Sequence, residues 1–248
     1  MNTTARTASS PTWRERQSFC EDWYSSLPQT SLLTELRREY EPHRAALAKL
    51  RGLILDVGGG CGFSKHYVDP KSRLITLDPS ASWTEQRWAE LAPHRLFLRG
   101  CGESLPFQSN LFNAAISMWS LNHAQDPRRM VLEMVRVLCP LGRLMFVLEE
   151  PEPRWIDLLD IRFLRQGVRA VVRQTLWRKV LGPLVGETTF VQLDHMEIAE
   201  DEVLAWAESC VLTRREWVVD CLVLEFVKTA TEAGTTELIT ERPSISRH

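Results

Sequence analysis

Apolar residues along this chain fall into two alternating rhythms. Short unbroken runs, Leu53 to Val57 around the single acid Asp56, then Leu74 to Asp78, Leu96 to Leu98, Leu111 to Trp119 and Leu144 to Leu148, have the length and density of parallel strands buried on both faces. Between the fourth and fifth runs the period lengthens to that of a helix, with Met130, Val131, Met134, Val135 and Leu138 on one face. Asp126-Pro127 stands at its start, where proline's fixed φ suits a first helical turn. Strands alternating with helices predict an α/β fold with a parallel sheet. Leu212 to Val219 and Cys221 to Val227 break the rule: only Asp220 separates them, too little for a crossover, so they predict an antiparallel pair.

Three stretches lie outside this alternation. Residues 13–50 carry helical spacing in Trp13, Phe19, Trp23 and Tyr24, then Leu32, Leu33 and Leu36, then Ala46, Leu47 and Leu50 after Pro42, and predict a helical cap before the first strand. Residues 151–195 read as a helical insertion after strand five. Between Arg154 and Lys179, the basic residues Arg154, Arg162, Arg165, Arg169, Arg173, Arg178 and Lys179 face only Asp157 and Asp160 among the acids, a local basic patch that suits either a solvated face or an anionic partner. Another helix is predicted from Ala199 to Ser209. Residues 1–12 and 229–248 are polar and aperiodic and are expected to be disordered, leaving one domain over 13–228.

Composition narrows the function. With 248 residues, 44% hydrophobic and 25% charged, the chain is long enough for a sizeable core, and a net charge of −2 gives no global reason to expect nucleic acid. Cys20, Cys61, Cys101, Cys139, Cys210 and Cys221 are scattered without a C-x-x-C pair, which predicts free thiols in a reducing cytoplasm. No apolar run is long enough to span a bilayer, no signal core opens the chain, and no spacing of Asp, Glu and His argues for a catalytic metal. The expectation is a soluble cytoplasmic protein, monomer or homodimer.

The chemistry begins where the first strand breaks into Gly58-Gly59-Gly60-Cys61-Gly62. The dinucleotide spacing G-x-G-x-x-G fails from either start, since its last position falls on Phe63 or Lys65. The pattern that fits is D-x-G-x-G-x-G, from Asp56, Gly58, Gly60 and Gly62, and here the sequence resembles the first motif of class I S-adenosylmethionine-dependent methyltransferases. Later stretches extend the resemblance in order. Gly100-Cys101-Gly102-Glu103-Ser104-Leu105-Pro106-Phe107 resembles the family's G-D-A-E-x-L-P-F, with Cys101 in place of Asp. Phe112-Asn113 stands for F-D, and Arg136-Val137-Leu138-Cys139-Pro140-Leu141-Gly142 resembles R-V-L-K-P-G-G. The match covers roughly residues 53–150 and points to the small-molecule branch that includes the ubiquinone and menaquinone enzymes.

The resemblance implies a Rossmann-like, seven-stranded, mostly parallel sheet with an antiparallel last strand, helices on both faces, the N-terminal cap and the lid insertion. It implies S-adenosyl-L-methionine as cofactor, held by Asp56, Gly58, Gly59, Gly60, Gly62, Asp78, Pro79, Cys101, Gly102, Glu103, Met118 and Trp119. Asp78 ends strand two at the crevice, where a carboxylate accepts ribose hydroxyls. The acceptor is expected to be a small molecule, with an anionic group if the basic insertion recognises it, bordered by Trp23, Tyr24, Asn122 and Glu149. Where the nucleophile must lose a proton, His123 just past strand four and His195 after the insertion are the candidate bases. Two other functions share these features: an enzyme that uses the cofactor as scaffold for a cyclisation or elimination, and a non-enzymatic cofactor-binding module.

Overall fold

The computed structural model of the chain describes residues 13–26, 28–84, 96–149, 198–219 and 221–230. Among them seven strands form one sheet: β1 (Leu53–Val57), β2 (Arg73–Asp78), β3 (Leu96–Arg99), β4 (Phe112–Met118), β5 (Leu138–Glu149), β6 (Cys210–Val218) and β7 (Cys221–Lys228). Their order is β3-β2-β1-β4-β5-β7-β6, with β1 through β5 parallel and β7 antiparallel to both β5 and β6. From β1 the chain steps outward through β2 to β3, then returns to lay β4 on the other side of β1. The carboxyl ends of β1 and β4 therefore flank a topological switch point, where open α/β sheets bind ligands.

The helices divide between the two faces. On one face lies α4 (Pro127–Val137), capped by the Asp126 side chain, which accepts from the Arg129 amide at 3.0 Å. It buries Met130, Val131, Met134 and Val135 against Leu144 and Phe146 of the sheet, the face its period predicts, and the short helix α5 (Glu200–Trp206) adds Val203. While α1 (Trp13–Ser26), the first helix of the cap, meets the loop after β4, the other face is covered by α2 (Gln29–Tyr40), a 3₁₀ turn over Glu41–His43 and α3 (Arg44–Leu47). Leu32, Tyr40, Leu47 and Leu50 pack there on Ile54, Ile116, Met145 and Val147. Burying such a side chain is worth roughly 1.5–3 kcal/mol, and these contacts fasten the cap to the sheet.

Two local expectations are revised. The segment after the glycine loop, where the sequence predicts a first helix starting over Ser64 to Val68 and kept short by Pro70, forms only a 3₁₀ turn, Phe63–His66, because Asp69-Pro70 follows before a full helix can propagate. Strand five starts at Leu138, six residues before Leu144 where the apolar run begins, and passes straight through Pro140-Leu141-Gly142. Leu141 takes a left-handed φ of 63°, and the register slips between Phe112 and Ala114, so an apparent turn sequence becomes an irregular strand start. Residues 1–12, the insertion over 151–195 and residues 231–248 lie outside the described residues.

Candidate functional site

The crevice is built from four strand ends. β1 delivers Asp56 and the glycines, β2 delivers Asp78, β3 leads to Cys101, and β4 leads to Trp119 and the 3₁₀ turn Leu121–His123. Asp78 is buried, and both its oxygens are engaged: Oδ2 accepts from the Gly60 amide at 3.0 Å and Oδ1 from the Ser80 amide at 2.9 Å, while the Trp83 side chain adds a third hydrogen bond. Burial pushes its pKa up to about 6, these donors restrain the rise, and Glu21 of α1 adds to it.

Asp56 sits deeper. Its Oδ2 accepts from the Ser64 hydroxyl, tying the 3₁₀ turn to β1, while burial and then the nearby Asp78 raise its pKa to about 7 against that hydrogen bond. Oδ1 of Asp56 has no hydrogen-bond partner among the described residues. The glycines answer to this crowding. At Gly58, with φ at 69°, an added Cβ would stand 2.3 Å from the Ser120 side chain, and at Gly59 it would stand 2.4 Å from the Asp56 carboxyl. Ser120 in turn donates to the Val57 carbonyl at 2.7 Å, so the loop is closely packed on its protein side.

Beyond β4, Trp119 holds a left-handed φ of 53°, a costly conformation for a bulky residue and one that clusters at functional sites. Its indole N–H donates to Cys221 Sγ at 3.2 Å, and its ring meets Tyr40 at 5.1 Å and His43 at 5.4 Å, both edge-on. His43 is buried, its Nδ1 lacks a hydrogen-bond partner among the described residues, and burial, then Arg214, lowers its pKa to about 4. The imidazole is neutral at physiological pH. No motif singled out His43 or Tyr40; only the folding of the cap over β4 brings them beside the crevice.

Other anticipated residues distribute as follows. Cys101 is half-buried, and its thiol pKa is raised by burial first, then by Glu103 and Asp78. Gly102 is buried against Met130 and Val57. Glu103 accepts from the amides of Gln125 and Asp126 at 2.7 and 3.3 Å, so its carboxylate braces the loop after β4. Pro79 uses its carbonyl to hold the Arg99 guanidinium at 3.0 Å. Met118 is part of the core under the cap, and Asn122 and His123 are half-buried in the loop after β4. The Gln17 side chain of α1 reaches the His123 carbonyl at 3.5 Å, so α1 crosses to the same loop. Asn113, which stands where the family has Asp, accepts from the Leu53 amide at 2.8 Å and secures the start of β1. The side chains of Trp23, Tyr24 and Glu149, and all of His195, lie outside the described residues.

Residues 55–146 match the family described as Methyltransferase domain. An uncharacterized methyltransferase of Mycobacteroides abscessus is 33% identical over 143 residues, 52% of this chain and 51% of that protein. The ubiquinone/menaquinone biosynthesis C-methyltransferase of Hahella chejuensis is 33% identical over 110 residues, 40% of this chain and 43% of that protein. The chain thus spans about half the length of these curated relatives, or less. A solved SAM-dependent methyltransferase from Aquifex aeolicus superposes with a TM-score of 0.53 at 16% identity, over 82% of this chain and all of that one, which shows the shared fold.

Proposed function

We propose that this chain, which carries a class I S-adenosylmethionine-dependent methyltransferase domain, moves a methyl group from that cofactor to an O, N or C nucleophile of a small-molecule acceptor. The observation that carries the reading is Asp78, a buried carboxylate at the carboxyl end of β2, bonded to the amide of Gly60 in the loop at the end of β1. The residues present fit the cofactor. A carboxylate whose pKa burial has lifted to about 6 gains from hydroxyl donors, and ribose supplies two. Cys101 and Gly102 lie at the carboxyl end of β3, next in the sheet to β2, where their backbone can read the edge of an adenine.

When bound, the cofactor supplies a methyl on a sulfonium, already activated for transfer, so the protein's task is alignment and exclusion of water. Asp56 fixes the glycine loop through Ser64, and Asp78 orients the ribose. Trp119, backed by Tyr40 and His43, walls the far side of the crevice. For a hydroxyl or ammonium acceptor, His123 beside β4 takes the proton, with His195 the second candidate. The catalytic unit spans 13–228 and acts in the cytoplasm as a monomer or homodimer, and the basic side chains of 151–195 suit an anionic group on the acceptor. Among the described residues no helix is long and apolar enough to cross a membrane. The Hahella relative is named for quinone biosynthesis, which supports a small-molecule acceptor here.

The test is transfer of isotopically labelled methyl from S-adenosylmethionine into a fractionated small-molecule extract, with Asp78→Ala as control. Label entering one fraction with wild type and lost with the variant is the expected result. Cofactor binding without label transfer to any fraction would instead favour the scaffold or binding-module functions.

A further inference from the structure

On the outer flank of the cap, away from the crevice, a cleft of about 700 Å³ opens between α2 and the 3₁₀ turn Phe63–His66. Three guanidinium groups, Arg37, Arg38 and Arg44, line it against a single carboxylate, Glu41, over a wall made by Phe63 and Tyr67. The aromatic residues are 2% and 6% exposed and form a buried apolar floor, while the charged rim is open to water, with Arg44 and Glu41 keeping 58% and 56% of their side-chain surface and Arg38 74%.

The pairing within this cleft is uneven. Arg37 and Glu41 stand four residues apart, the spacing at which a helix normally joins opposite charges. Glu41 is already taken: its Oε1 accepts from Arg44 Nε at 2.6 Å, its Oε2 from Arg44 Nη2 at 2.8 Å, and the Tyr67 side chain also hydrogen-bonds to it. Arg44 is thereby clamped with its Cζ 5.0 Å from the centre of the Tyr67 ring. Two of its five N–H donors are spent on Glu41, which leaves the rest of a rigidly held fork for another partner. Arg38 is turned to Glu35 at 2.5 Å. Arg37 has no carboxylate partner among the described residues.

We propose that this cleft is a binding site for a small anion carried on an aromatic or other flat apolar body. A phosphate or carboxylate bridges Arg37 and the free side of Arg44, and the body rests on Leu33 and the aliphatic stems of the arginines, above the floor of Phe63 and Tyr67. A preorganised guanidinium, a second beside it with no carboxylate partner among the described residues and an apolar floor supply charge, geometry and contact area for such a ligand. The site is separate from the methyl-transfer crevice, because Tyr40 and Phe63, packed at 5.4 Å, stand between the cleft and Trp119.

The experiment is calorimetric titration of the full chain at fixed ionic strength with phenyl phosphate, benzoate and inorganic phosphate. Phenyl phosphate should bind saturably and more tightly than inorganic phosphate, with S-adenosylhomocysteine failing to displace it. Arg37→Ala should weaken it about tenfold or more. Arg37 is exposed and outside the Glu41–Arg44–Tyr67 clasp, so this variant keeps its fold, and unchanged binding of S-adenosylhomocysteine verifies that. Arg44→Lys, which keeps the charge and loses the fork, should weaken it too. Absence of saturable binding, equal affinity in Arg37→Ala, or displacement by S-adenosylhomocysteine would each overturn the proposal. Sedimentation of the chain with phosphatidylglycerol vesicles, lost in Arg37→Glu while phenyl phosphate fails to bind, would assign the cleft to a membrane surface instead.

Discussion

The Asp78 Oδ2 atom accepts a 3.0 Å hydrogen bond from the amide of Gly60, which joins the end of β2 to the loop that follows β1. One carboxylate therefore shapes the glycine loop and faces the crevice. On the proposed role of Asp78 as ribose acceptor, replacing it by Ala removes charge-assisted hydrogen bonds each worth roughly 1.5–3 kcal/mol. Affinity for S-adenosylhomocysteine should fall at least tenfold, read by calorimetry; an unchanged constant would mean the ribose is held elsewhere.

Cofactor affinity should also depend on pH. Hydroxyl donors favour the ionised carboxylate, and Asp78 in the free protein titrates at about 6, so binding must drive off a proton below that value. Between pH 7 and pH 5 the affinity for S-adenosylhomocysteine should drop about tenfold, since one pH unit below a pKa leaves roughly a tenth of the group ionised. Asp78→Asn should bind weakly with a flat profile, and a wild-type constant that does not move over this range counts against the role of Asp78.

Stability carries a related signature from Asp56. Its folded pKa, about 7, lies above the ordinary 3.8, so its contribution is fully present below pH 3.8 and is lost as pH rises through 7. Asp56→Asn keeps an acceptor for Ser64 and removes the buried charge. The variant's melting temperature should gain on wild type from pH 4 to pH 8, followed by circular dichroism. A difference independent of pH would show that Asp56 ionises without cost.

Much of this site is legible in the sequence because it is local. A strand running into glycines, an acid at a strand end and Asp-Pro before a helical period each declare themselves within ten residues, and Asp56, Asp78 and Asp126 stand where those patterns put them. The rest depends on contacts between distant segments. His43 belongs to no motif, and its burial beside Trp119 follows from packing of the cap on β4. Glu103 sits in a ligand-type motif, yet its oxygen braces two amides of the loop after β4, a partner more than twenty residues away. Pro140-Leu141-Gly142 has turn composition, and it is carried into the strand only because the residues flanking it, Leu138 and Arg143, both pair with β4.

The packing at Gly58 offers a test of loop rigidity. Gly58→Ala meets both a φ of 69° and the Ser120 side chain at 2.3 Å, and should destabilise the fold by about 1–3 kcal/mol. Adding Ser120→Gly removes the obstructing Cβ and should recover part of that loss in denaturant titration. No recovery would place the whole cost in the backbone conformation.

Cys101→Asp restores the carboxylate found at this position in the resembling family. Burial, and after it Glu103 and Asp78, already raise the thiol's pKa, and they would oppose ionisation of a new acid in the same place. The substitution should therefore tighten S-adenosylhomocysteine at pH 8 and have little effect at pH 5; no gain at pH 8 would show that adenine lies elsewhere.

The position of β7, between β5 and β6, sets a schedule for synthesis. The partner of β5 on one side, β4, precedes it in the chain, but its other edge waits for residues 221–228, and the edge left open belongs to the core strand that carries Leu144, Phe146 and Leu148. At ribosomal speeds of about 5–20 residues per second, that edge stays unpaired for on the order of ten seconds. Such an edge is a template for pairing with other chains. Truncation before Cys221 would make the delay permanent, so a shortened chain should emerge as an aggregate even though every residue of the glycine loop is present.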